Sequence, residues 1–134
     1  MEVWIQRHDL SHSDLHDGTI ESAKRALFDF DWESELQKLD RADQPKDDVC
    51  PPGIGFVSDD KRILHIMPSR RSLSNYHYHF PERKKLLGLF SITQEETVTV
   101  MDLPDEYRET IIERHYEGKH EVVLDLLRSH GTKC

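Results

Sequence analysis

Apolar and polar residues alternate along this chain with two different periods, and the switches between them outline a fold. Glu2 to Arg7 (EVWIQR) has period two, with Val3 and Ile5 on one face of a strand and Trp4 and Gln6 on the other. The stretch after it, HDLSHSDLHDGT, is dense in Ser, Asp and Gly and reads as a polar connection. Thr19 then caps a helix from Ile20, in which Ala23, Leu27 and Phe30 recur at helical spacing. Alternation in Phe28 to Trp32 (FDFDW) interrupts that period, and Asp31 re-caps a second helical segment carrying Trp32, Leu36 and Leu39 on one stripe. This helix ends near Asp43, because Pro45 disfavours helix in the residue before it. RADQPKDDVCPP is a turn-rich linker into the next region.

Short strands dominate from there. Ile54 to Ser58 and Arg62 to Met67 are joined by Asp59, Asp60 and Lys61, a link suited to a β-hairpin, and Pro68 closes the second strand. Asn75 to Phe80 alternates strictly: Asn75, His77 and His79 point one way, Tyr76, Tyr78 and Phe80 the other. Pro81 is expected to stop that strand. A basic turn, Arg83 to Lys85, leads to LLGLF with Gly88 as a bulge or close-approach point, ITQEE reads as a further turn, and Thr97 to Met101 forms the last strand. Pro104 opens a helix with Leu103, Tyr107 and Ile111 as its buried stripe and Gly118 as its terminator. A final helix runs from about Lys119 to His130 and stops at Gly131. The pattern predicts an α+β fold: an antiparallel, meander-like sheet of four to six strands with helices packed on one face. Residues 1–134 form one domain, divided into an N-terminal strand plus acidic helical segment (1–48), the sheet (53–101) and the C-terminal helices (102–131).

Composition narrows the class. The chain is 36% hydrophobic and 33% charged, but its aromatic residues and leucines are spread along its whole length, which favours a folded domain over a disordered one. The net charge of −8 is uneven: −7 before Val49, +2 from Val49 to Met101 and −3 after it. Phosphate recognition requires a basic footprint, so nucleic acid is not an expected partner, and the acidic ends favour a protein with a basic surface. No apolar run reaches the roughly 18 residues of a membrane span. Met1 to Leu10 lacks the basic and apolar regions of a secretory signal, and two cysteines are too few for a disulfide framework. The expected setting is the cytoplasm, with no membrane association.

Three groups of residues are candidates for chemistry. His77 and His79 lie two apart on a strand and point the same way, and pairing with the preceding strand would bring His65 to their face. That trio suits acid–base work, and His77, His79 and Glu82 suit a metal. His8, His12 and His16 would line one face if their segment were helical, although its Ser and Asp content argues for a polar connection instead. The third group is Asp29, Asp31, Trp32, Glu33 and Glu35. Phe28, Phe30 and Trp32 carry apolar area suited to the core, and the same Trp32, flanked by four carboxylates, suits a desolvated anchor facing a basic partner. P-loop, GxSxG and HExxH patterns are absent, and no cofactor is expected. These features favour a small acidic protein-binding module, such as a bacterial immunity protein that neutralises a cognate toxin, over an enzyme. A histidine-based metal-dependent or acid–base enzyme and a structural or adaptor subunit are the alternatives.

Overall fold

The computed structural model describes residues 1–7, 12–14, 18–41, 52–69, 72–88 and 90–133. Its elements are β1 (Glu2–Gln6), β2 (His12–Asp14), α1 (Ile20–Asp29), α2 (Trp32–Arg41), β3 (Gly53–Val57), β4 (Ile63–Pro68), β5 (Leu73–Leu86), β6 (Phe90–Pro104), α3 (Arg108–Tyr116), α4 (His120–His130) and β7 (Thr132–Lys133). A 3-10 turn, Asp105–Tyr107, leads into α3. The architecture is α+β, as the periodicity predicts. Among the described residues all strands join one antiparallel sheet in the order β2-β1-β3-β4-β5-β6-β7, so the three-residue β2 and two-residue β7 bring the strand count there to seven.

Register explains the core. Ile5, Ile54, Ile66, Tyr76 and Val100 lie opposite one another across five strands, and Val3, Phe56, Leu64, Tyr78 and Val98 form the next row. These side chains meet Ala23 and Leu27 of α1, Trp32 of α2, Ile111 and Ile112 of α3, and Val123, Leu124 and Leu127 of α4 in one continuous apolar cluster. Burial of such surface at about 25 cal/mol per Å² is the main stabilising contribution, and it selects the register, since a one-residue slip would turn every row to water. The helix starts obey local chemistry. Thr19 Oγ1 accepts from the Ser22 amide at 3.3 Å, and Asp31 Oδ1 accepts from the Ser34 amide at 3.0 Å.

Two expected breaks do not occur. Pro81 lies inside β5 and Thr93 to Glu96 inside β6, which makes these strands 14 and 15 residues long. Proline is tolerated at position 81 because β4 stops pairing with β5 at Ile63↔His79, so beyond that point, among the described residues, one side of β5 has no neighbouring strand to supply. The β5–β6 pairing continues alone from Phe80↔Glu96 to Leu86↔Phe90, forming a two-stranded arm that extends past the end of β4. Lys84 holds Glu96 across this arm at 2.7 Å. Gly88, expected as a bulge or close-approach point, is part of the arm's turn, where Leu87 and Gly88 both take left-handed φ of 53° and 71°. The bulge lies elsewhere: the register shifts between Ser74 and Tyr76, Asp102 takes φ 55°, and its amide donates to Asn75 Oδ1 at 3.0 Å.

Candidate functional site

The face of the sheet opposite the helices carries the predicted histidine group. Trp4, Gly55, His65, His77 and Thr99 lie opposite one another across five strands. Gly55 has no side chain, so the Trp4 indole occupies the space above it, where an added Cβ would lie only 2.2 Å from the ring. Trp4 reaches the His65 ring at 5.0 Å between centroids, His65 meets His77 at 6.0 Å, and His77 meets His79 at 6.2 Å. Thr97 Oγ1 and His79 Nδ1 are 2.7 Å apart at the end of this series. His65 is only 7% exposed, and burial, reinforced by the nearby His77 and His79, pushes its imidazole down to about 4. Burial and then His79 lower His77 as well. At neutral pH these two rings are uncharged and retain a free lone pair. Strand alternation, however, turns Glu82 to the face of Tyr78 and Phe80, away from His77 and His79. Among the described residues no three His, Cys, Asp or Glu side chains converge on a metal position.

The aromatic and acidic group at the α1–α2 corner is divided by burial. Trp32 is 9% exposed and packs on Phe30 at 4.4 Å, and its Nε1 donates to the Leu27 carbonyl at 2.7 Å. The indole therefore faces the core in the free chain, where capping the carbonyl at the end of α1 turns it inward. Glu35 is also buried, while Asp29, Asp31 and Glu33 remain exposed. Phe28 is the ring left in solvent, with the Arg108 guanidinium 4.9 Å from its centre. Of the HxxxH series, His12 begins β2 and so is not helical, whereas His8 and His16 fall outside the described residues.

A third cluster was missed by sequence reasoning. The β3–β4 turn contributes Ser58, Asp60 and Arg62, β5 contributes Tyr78, and the α3–α4 junction contributes His115 and His120. Asp60 pairs with Arg62 at 2.6 Å and accepts from the Ser58 hydroxyl, the contact that does most to lower its carboxyl. Tyr78 Oη is 3.1 Å from His120 Nδ1, and His115 Nε2 is 3.1 Å from the Phe56 carbonyl oxygen. Burial pushes Tyr78 up to about 12 and His115 down to about 4. A cleft of about 450 Å³, bounded by Met1, Thr19, Ile20 and Tyr116, opens beside Ser58, Asp60 and His115. The tyrosine stays protonated and His115 stays neutral, and the cluster ties two turns to the sheet. Its members are separated by up to about sixty positions and share no spacing, so only the fold brings them together.

The arm begins next to this cluster, where Phe80 contacts His120 at 4.7 Å between ring centroids. Leu87 at the arm's turn is 86% exposed and Phe90 beside it is 65% exposed. Arg83, Lys84 and Lys85 flank this tip, and Glu95 lies nearer the sheet. The α1–α2 corner lies at the other end of the sheet, where Arg7, just past the end of β1, is 5.9 Å from the Phe30 ring. No helix among the described residues is long and apolar enough to cross a membrane. Comparison with models of protein families, with curated proteins and with solved structures found no match.

Proposed function

We propose that the chain is a small protein-binding module that acts by occluding its partner, in the manner of a bacterial immunity protein that neutralises a cognate toxin in the cytoplasm. One observation carries this reading: among the described residues the β5–β6 arm has no third strand beyond Phe80↔Glu96, and it ends in the exposed Leu87 and Phe90. A two-stranded hairpin alone in water is marginal, and apolar side chains at its tip gain nothing until a partner covers them. Inserted into a concave surface, Leu87 and Phe90 would act as anchors and the flanking polar residues as the rim. The net charge of −8 works against docking two copies and favours a partner that is basic overall, while Arg83, Lys84 and Lys85 beside the tip call for acidic groups where the arm itself docks. The exposed Asp29, Asp31 and Glu33 assist in drawing such a partner in, although the anchor role expected of Trp32 passes to the arm. The same acidic balance argues against nucleic acid.

The test compares the intact chain with a Leu87→Ser/Phe90→Ser variant, each immobilised and exposed to extract from the source cells. A protein retained by the intact arm and released by the variant, whose own activity falls when the purified chain is added, supports the reading. Equal retention by both, or a retained protein whose activity does not change, rules out occlusion through the arm.

A further inference from the structure

The two hairpins on either side of β4 fix the direction in which the backbone of the arm points. The Ser58 amide donates to the Arg62 carbonyl at 2.9 Å across the β3–β4 turn, and the Ser69 amide donates to the Leu73 carbonyl at 2.9 Å across the β4–β5 turn. In an antiparallel ladder, successive residues aim their amide and carbonyl at opposite neighbours. The backbone groups of Leu64 and Ile66 therefore face β3, while those of Ile63, His65 and Met67 face β5, opposite His79, His77 and Asn75. The bulge between Ser74 and Tyr76 adds its extra residue to β6, so β5 alternates without interruption. Carried along β5, that alternation aims Pro81, Arg83 and Lys85 away from β6, past the point where β4 stops pairing. Pro81 has no amide proton to leave unpaired there. Arg83 and Lys85 each present an amide, and all three present a carbonyl, with no ladder partner among the described residues. Such a row is a template for an added strand.

The side chains along this edge decide which strand it accepts. Arg83 and Lys85 point to the open face of the sheet, in line with His77 and His79, and Lys84 points the other way. Lys84 is neutralised by Glu96, whereas Arg83 and Lys85 are exposed and make no ion pair among the described residues. On β6 they lie opposite Thr93 and Ser91, which carry no charge, and Glu95 is opposite Pro81, nearer the sheet. Residues directly opposite in a ladder share a face, so acids at alternate positions of an incoming strand would meet both cations. A second copy of the same edge would set Arg83 and Lys85 against their own kind. The charge that guards the edge against self-pairing is thus also a filter for an acidic strand. Resting on the reading of the arm as the partner-binding element, we infer that its free edge takes an extended segment of the protein partner as a third strand, with carboxylates opposite Arg83 and Lys85.

The experiment follows the backbone amides of the full chain by NMR during titration with two short synthetic peptides, threonine alternating with glutamate and threonine alternating with lysine. The glutamate peptide should slow hydrogen exchange at Arg83 and Lys85 and bind roughly tenfold more tightly than the lysine peptide, because two favourable cross-strand pairs replace two repulsive ones. Arg83→Glu/Lys85→Glu should invert that preference. Arg83→Pro removes an outward amide and spares the β5–β6 ladder, so it should weaken binding more than Arg83→Thr, which removes the charge alone. Equal affinity for the two peptides, or a preference that survives charge reversal, would overturn the assignment. So would equal losses in Arg83→Pro and Arg83→Thr, which would mean that the cations hold a charge and not a strand. Slowed exchange at Arg83 and Lys85 in the concentrated chain alone would put a second copy on the edge and overturn it as well. Circular dichroism checks the fold of each variant, and the charge-reversed pair keeps the test open if Arg83→Pro does not fold. Leu87→Ser/Phe90→Ser should bind the glutamate peptide as the parent does, so failure of the edge and failure of the tip are read separately.

Discussion

His115 Nε2 lies 3.1 Å from the carbonyl oxygen of Phe56, which fixes the middle of α3 to the centre of β3. The Phe56 carbonyl accepts from Nε2–H, which both ring forms carry, and burial outweighs that contact and holds the imidazole at about 4, below its ordinary 6.5. The unfolded chain therefore binds a proton that the folded chain refuses between these values. Stability from this group is complete above about pH 6.5 and declines as pH falls towards 4, by about 3 kcal/mol in all. Urea unfolding between pH 7.5 and 4 should show this slope, and His115→Gln should reduce it. A slope unchanged in the variant would mean that His115 is not the buried base described.

Trp32→Ala should lower stability by about 3–5 kcal/mol, because it removes a buried indole and leaves the Leu27 carbonyl without its 2.7 Å donor. Thermal unfolding measures this. A change within about 0.5 kcal/mol is what a surface tryptophan would give, and it would return Trp32 to the partner-facing role.

Gly55→Ala should destabilise the sheet by about 1–3 kcal/mol, since its new Cβ enters the Trp4 ring at 2.2 Å. The same variant should shift the tryptophan fluorescence to longer wavelength as the indole is lifted into water. Unaltered emission and stability would show that Trp4 does not lie over Gly55.

Most of the fold was legible because burial writes itself into period: the Tyr76, Tyr78, Phe80 series and the Ala23, Leu27 stripe both face the core as their spacing requires. The co-facial placement of His65, His77 and His79 was legible for the same reason. The long strands were not. Pro81 and the Gln94 to Glu96 run break a strand on local propensity, but cross-strand pairing in the arm overrides it, with Lys84 holding Glu96. Trp32 was ambiguous, because an aromatic between carboxylates serves a core or an interface equally until its Nε1 is seen to cap α1. The Tyr78–His120 and His115–Phe56 contacts join residues 42 and 59 positions apart, and no local pattern announces them.

Amide hydrogen exchange should divide β5 in two. Tyr76 to Phe80 lie over the core and should exchange only with global unfolding, whereas Glu82 to Lys85 are paired, among the described residues, on one side alone and should exchange faster by orders of magnitude. Uniform protection along β5 would mean that the arm is covered in the free protein.

The central claim is that the arm tip binds a protein partner, and calorimetry between purified components tests it most directly. With the partner identified by arm-dependent retention, Leu87→Ser/Phe90→Ser should weaken binding by roughly 100-fold or more, the loss expected of anchor residues, while the unfolding midpoint stays the same. An affinity unchanged by the double substitution, in a variant as stable as the parent, would contradict it.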